Sequence, residues 1–138
     1  MEQPLVSIIL PTYNRAKFIE KAIQSVWTQT YSNIELIIVN DGSTDNSIEI
    51  IKSYNFDLPL KIISQKNSGP SSARNYGASK ANGEFLVFTD SDCVPKLDFI
   101  EKILAPLKNK EIVGVQGEYE TKNKDKLVAR YVGYEIAY

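Results

Sequence analysis

The chain has 138 residues, 43% of them hydrophobic, and a formal charge of −1 from 16 basic and 17 acidic residues, which describes one soluble globular domain rather than a fibre or a disordered tail. It has no histidine and a single cysteine, Cys93, which excludes an intramolecular disulfide, a zinc-type His/Cys cluster and a Ser-His or Cys-His nucleophile. No apolar run reaches membrane-spanning length, the N-terminus shows no basic-then-apolar leader, and the densest lysine stretch, Lys122 to Lys126, is broken by Asp125. Neither a transmembrane segment nor a nucleic-acid partner is therefore expected, and the default location is a reducing cytoplasm, with peripheral attachment to a membrane left open.

In chain order, Leu5 to Leu10 predicts a strand halted by Pro11, which cannot donate to a ladder. Asn14 is the expected cap of a helix with Phe18, Ile19, Ala22, Ile23, Val26 and Trp27 on one stripe. Ile34 to Val39 predicts a second buried strand running into Asn40-Asp41-Gly42-Ser43-Thr44-Asp45, with Ser43 or Thr44 expected to cap a helix bearing Ile48, Ile51 and Tyr54. A weaker strand over Leu60 to Ser64 precedes a small-residue helix from about Ser71 to Lys80, for which Gly83 is the expected left-handed stop. Phe85 to Thr89 predicts a fourth strand whose continuous apolar run suits burial on both faces. Pro95 is expected to open a helix with Leu97, Ile100, Ile103, Leu104 and Leu107, and Ile112 to Gln116 to form a fifth strand. The alternation predicts an α/β fold: a Rossmann-like, mostly parallel sheet covered by helices on both faces. Leu127, Tyr131, Tyr134 and Tyr138 fall on one helical face that needs a partner, so self-association to a homo-oligomer through this C-terminal helix is expected.

The chemistry gathers at the strand ends. Asp90 and Asp92 follow the fourth strand at i and i+2, the spacing that projects two side chains the same way from an extended backbone. Two adjacent carboxylates repel unless a cation joins them, and hard divalent ions such as Mg²⁺ or Mn²⁺, which pair carboxylates with substrate phosphates, are the natural choice. Ligands of open α/β sheets bind beyond the carboxyl ends of the strands. The first strand delivers Pro11, Thr12 and Tyr13 there, the second Asp41, the fourth Asp90 and Asp92, and the loop after the third leads to Arg74. Each has a plainer reading alone: Tyr13 as packing, Asp41 as an Asx-turn with Gly42, Arg74 as a solvated helix cation, the two aspartates as an acidic turn. The carboxylate pair suggests a metal-diphosphate site, and the coincidence of these residues at one edge favours it over the plainer readings.

Four stretches carry a family resemblance: Val6-Ser-Ile-Ile-Leu-Pro-Thr-Tyr-Asn14, Leu36-Ile-Ile-Val-Asn-Asp-Gly-Ser-Thr-Asp45, Gly69-Pro-Ser-Ser-Ala-Arg-Asn75 and Phe88-Thr-Asp-Ser-Asp92. In that order they resemble the N-terminal, nucleotide-binding part of family 2 glycosyltransferases with the GT-A fold, over about the first 117 residues. The resemblance implies transfer of a sugar, with inversion, from a nucleotide diphosphate sugar, most often UDP-linked, to an acceptor hydroxyl on a saccharide, lipid or protein, assisted by Mn²⁺ or Mg²⁺. By the same resemblance Pro11, Thr12, Tyr13 and Asp41 belong to the nucleotide, with Thr12, Tyr13 and Asp41 around the base. Arg74 lies beside base or diphosphate, Asp90 reaches ribose or metal, and Asp92 is the metal ligand. Asp41 is in addition the expected acceptor for the imide N–H that uracil has and cytosine lacks. The family's general base lies in a later segment, so no catalytic residue is assigned, although Glu118, Glu120 and Glu135 are available acids. One truncated domain is expected, with a nucleotide-binding half over 1–117 and a loop and amphipathic helix over 118–138, able to bind donor but slow to transfer. A phosphatase of the haloacid-dehalogenase type would carry its Asp-x-Asp on the first strand, and a receiver domain would need a lysine after its last; neither pattern is present. The alternative that survives is a non-catalytic nucleotide-sugar-binding or regulatory module of the same fold.

Overall fold

β1 (Val6–Thr12) and β2 (Ile34–Asn40) are buried at every position, because each face of this central pair is covered, and so both read as unbroken apolar runs. They pair in parallel from Val6 opposite Ile34 to Thr12 opposite Asn40. β3 (Leu60–Ser64) joins β2 and β4 (Phe85–Phe88) joins β1, giving a four-stranded parallel sheet in the order β3-β2-β1-β4. The structure is a computed structural model that describes residues 3–55, 57–118 and 120. It divides into Met1–Ile100, which holds the whole sheet, and Glu101–Tyr138. In the latter a short helical stretch gives way to a 3₁₀ turn at Pro106–Lys108. Among the described residues no helix is long and apolar enough to cross a membrane.

Right-handed crossovers fix the layers. The chain moves from β1 to β2 to β3 in one direction through α1 (Ile19–Trp27) and α2 (Ser47–Ser53), which pack on each other, then returns through α3 (Pro70–Ala78), which lies against β1 and β2. On the α3 side Ile9, Ile37, Val39 and Ala73 form a closed core joined by Ile63 and Tyr76. Contact there is close: a Cβ on Gly77 would stand 2.5 Å from Ile9 Cγ2. At the amino end of the sheet the buried Glu35 accepts from Ser7 Oγ at 2.6 Å, from the Asn82 backbone N–H at 2.7 Å and from Asn82 Nδ2 at 3.1 Å, and pairs with Lys61 Nζ at 3.3 Å. Burial pushes its carboxyl up, but these donors outweigh that and hold it below the usual carboxylate range.

Several expectations need correction. Pro11 does not halt β1, which runs to Thr12. Thr12 O accepts from Asp41 N on the β2 side and Ile9 O from Thr89 N on the β4 side, so Pro11 turns its missing N–H toward β4, beyond that strand's last pair at Phe88. β4 is not buried on both faces: Val87 is buried, but Leu86 and Phe88 are 44% and 45% exposed, because β4 is the sheet's edge among the described residues and α3 covers β1 and β2 instead. Asn14 does not cap α1, nor do Ser43 or Thr44 cap α2; all three tie two loops together, as described below. Gly83 is no left-handed stop. Only Gly42 and Gly69 have positive φ among the described glycines, and Gly83 is small because a Cβ would come 2.5 Å from Ser7 N. α4 (Phe99–Leu104) begins four residues after Pro95. No strand forms over 112–116, where Val113 stands 98% exposed and Gly114 interrupts the apolar run; strand propensity without a paired neighbour is not enough. The tyrosine-rich segment at 127–138 lies outside the described residues.

Candidate functional site

The β1–α1 and β2–α2 loops are laced into one body at the carboxyl edge of the sheet. Asn14, with φ of 50°, takes the left-handed conformation that asparagine tolerates. This turns its Oδ1 to accept from Thr44 N at 2.8 Å and Asp45 N at 3.3 Å, while its own N–H donates to Ser43 Oγ at 3.1 Å. Arg15 N donates to Ser47 Oγ at 3.0 Å and Ala16 N to Asp45 Oδ2 at 3.1 Å. The ends of β1 and β2 are thus held in fixed register, with Asp41 N donating to Thr12 O at 2.9 Å.

Asp41 is buried and engaged. Its Oδ1 accepts from Gln65 Nε2 and from Ser68 N, both at 2.8 Å, and its Oδ2 from Gly69 N at 2.9 Å, so it fastens the β3–α3 loop. Burial pushes the carboxyl up, but the Gln65 amide and the two backbone N–H groups outweigh it and hold Asp41 below the usual range. That loop ends at Gly69, with φ of 90°, from which Pro70 opens α3 and brings Arg74 to the same edge.

Asp90 and Asp92 converge, though not from an extended strand. Cys93 N donates to Asp90 O at 3.0 Å and closes a turn, and the turn brings a ligand atom from each of Asp90, Asp92 and Cys93 within 4.8 Å of one another. Arg74 Nη2 meets Asp90 Oδ1 at 2.7 Å, and Arg15 Nε faces Asp92 Oδ2 at 3.7 Å. Burial, then the charges of Asp92 and Asp90, push the Cys93 thiol up. A thiol is a soft donor, so the set that suits a hard ion is the two carboxylates. These hard oxygen donors fit Mg²⁺ or Mn²⁺ and leave most of the coordination sphere for water or phosphate.

Pro11, Thr12, Tyr13, Asp41, Arg74, Asp90 and Asp92, the residues singled out in the sequence, all line one cleft of about 410 Å³, within the range of ligand pockets. Tyr13 is 45% exposed there, and the buried Thr12 hydroxyl has no partner among the described residues. Arg15, Asn67, Gly69, Pro70 and Ser91 line the cleft too and were not assigned from sequence. Only Arg15 had a signal that could have found it: it is a cation at the same edge as a carboxylate pair that needs counter-charge.

The chain matches the family model for glycosyl transferase family 2 over residues 7–133. An uncharacterized glycosyltransferase of Haemophilus influenzae is 42% identical over 121 residues, covering 86% of this chain and 48% of the relative. Residues 1–349 of S. aureus TarS, solved with UDP, superpose with a TM-score of 0.71 at 28% identity, covering 87% of this chain and 39% of that one. The mannosyltransferase PcManGT of Pyrobaculum calidifontis, solved with GDP-Man and Mn²⁺, gives a TM-score of 0.70 at 31% identity, covering 75% and 33%. The chain spans about half or less of the length of the curated relatives it matches.

Proposed function

The chain belongs to glycosyl transferase family 2, and from that premise we propose that its cleft binds a nucleoside diphosphate sugar, UDP-linked by preference, together with Mn²⁺ or Mg²⁺, for inverting transfer to an acceptor hydroxyl. The observation that carries this reading is the division of one cleft into two chemistries. Its lining offers both an exposed aromatic ring with an unpartnered buried hydroxyl and two carboxylates within 4.8 Å of each other. A base with a ring face and hydrogen-bonding edges suits the first group, and a metal-bound diphosphate the second.

In this reading Tyr13 stacks on the base and Thr12 supplies a hydrogen bond. Asp41 keeps one oxygen lightly used, since Oδ1 accepts two donors and Oδ2 only one; the remaining acceptor position on Oδ2 is where the uracil imide N–H would bind. Pro11 shapes the floor beneath the base. Arg74 serves base or diphosphate, Asp90 ribose or metal, and Asp92 the metal. A bound divalent ion acts as a Lewis acid for the charge that develops on the leaving diphosphate. The acids that line the cleft already have roles, so no general base is assigned.

Titration calorimetry with UDP tests the reading. Wild type should bind UDP with Mn²⁺ and lose about 10- to 100-fold in affinity when the ion is chelated, and Asp92→Asn should lose most of the difference between the two conditions, a range typical of disrupted metal sites. Equal affinity with chelator, or a variant that responds to Mn²⁺ like wild type, would remove the metal and leave an acidic turn.

A further inference from the structure

We infer that Arg15 is a positioning and donor-binding residue: it holds Asp92 while the carboxylate pair is free of metal, and turns to the donor's diphosphate when a divalent ion takes that carboxylate. This rests on the functional reading above. Each carboxylate faces one guanidinium, Asp90 that of Arg74 and Asp92 that of Arg15, and the two cations come from different elements, α3 and the β1–α1 loop.

The two pairs differ in kind. Arg74 to Asp90, at 2.7 Å, is a charge-assisted hydrogen bond. Arg15 to Asp92, at 3.7 Å, is an ion pair beyond hydrogen-bond length, with both side chains nearly half exposed, and among the described residues no acceptor takes a hydrogen bond from the Arg15 guanidinium. Such a contact is weak and easily exchanged. The Arg15 backbone is fixed by contrast: its N–H donates to Ser47 Oγ, and its carbonyl accepts from Phe18 N and Ile19 N, both at 2.9 Å, at the start of α1. A fixed base and a loosely held planar fork at the cleft wall is the arrangement a phosphate-binding arginine needs.

Charge dictates the exchange. A divalent ion on Asp92 would repel the guanidinium that occupied it, and a diphosphate bound with the ion would offer that guanidinium oxygens in the cleft that Arg15 lines. Arg15 therefore competes with free metal but cooperates with metal plus diphosphate.

Three measurements on the full chain test this. Mn²⁺ binding without nucleotide, followed by electron paramagnetic resonance, should tighten in Arg15→Gln by about 1.5- to 5-fold, the worth of one exposed ion pair. UDP binding at saturating Mn²⁺ should weaken by about 10-fold or more, the worth of a hydrogen bond to a charged group. Uridine, which lacks phosphate, should bind both proteins alike, as it would not if the variant had disturbed the loop. Arg15→Lys, which keeps the charge and loses the fork, should restore wild-type Mn²⁺ binding while recovering only part of the UDP affinity. Unchanged UDP affinity in Arg15→Gln, or weaker binding of Mn²⁺ alone, overturns the role of Arg15 while leaving the functional reading intact. Wild type that fails to bind UDP with Mn²⁺ overturns both.

Discussion

The two ends of the cleft use carboxylates in opposite ways. Asp41 is buried and meets three neutral donors from the loop it fastens. Asp90 and Asp92 sit in a half-exposed turn and meet two arginines. A carboxylate surrounded by backbone N–H groups is part of the scaffold, because its partners cannot leave without unmaking a loop. One surrounded by guanidinium groups on long side chains can exchange them for another cation. Proximity to a cleft alone does not distinguish these cases; the mobility of the partners does.

Substituting asparagine for each aspartate is the sharpest way to break this comparison. In Asp41→Asn the amide NH₂ must face Ser68 N or Gly69 N, whichever way it is turned, and one part-buried backbone donor loses its acceptor. The expected cost is about 1.5–3 kcal/mol of stability in urea unfolding, the worth of a hydrogen bond to a charged group. Asp92→Asn should stay within about 1 kcal/mol of wild type, since its contacts are an exposed ion pair and a weak, exposed donation from Cys93 Sγ. Equal losses would mean that both ends are scaffold. The pH dependence has a definite sign. Asp41 is held below its ordinary value of 3.8, so its stabilisation is fully present above that pH and is lost as pH falls through the lower folded-state value. The gap between wild type and Asp41→Asn should therefore be flat at neutral pH and close only in acid below 3.8.

A smaller effect is expected where the scaffold end is laced. Asn14→Gly keeps the left-handed backbone but removes the oxygen that accepts from Thr44 N and Asp45 N. A loss of about 1 kcal/mol, typical of a hydrogen bond, should appear in the same unfolding measurement. No change would mean that water replaces the side chain freely.

These contacts also mark how far the sequence could be read. β1 and β2 were legible because burial on both faces leaves an unbroken apolar run, and the strand-end chemistry followed from the parallel topology. The same signal misled at β4, since Phe85 to Phe88 is equally apolar although Leu86 and Phe88 are open at the sheet's edge. Pro11 misled because its tolerance depends on which neighbour its nitrogen faces, a property of the sheet rather than of the residue. Asn14, Ser43 and Thr44 have the right side chains for caps, and only the folded loops show that they bond to each other. Asp90 and Asp92 were brought together in the sequence reading by strand geometry; a turn does it instead. Arg15 and the donors around Asp41 stayed hidden because they pair across 77 and up to 28 residues of chain.

The smallest expected change in stability carries the clearest separation of scaffold from ligand site. Thr12 is buried at the end of β1, lines the cleft, and its hydroxyl is the buried side-chain oxygen without a partner among the described residues. Among the described residues every other buried side-chain nitrogen or oxygen has a partner. Valine has nearly the same shape and suits a strand, so Thr12→Val removes an unmet hydrogen-bonding demand and should leave stability unchanged or raise it by up to about 1 kcal/mol. If the hydroxyl is instead kept for a nucleobase, the same variant should lose about 5- to 10-fold in affinity for UDP at saturating Mn²⁺, the worth of one hydrogen bond. It should also leave the affinity for Mn²⁺ alone untouched, because that end of the cleft is built from other residues. A residue that serves only packing would show the opposite pattern, with lower stability and unchanged binding, and that result would move the base away from Thr12.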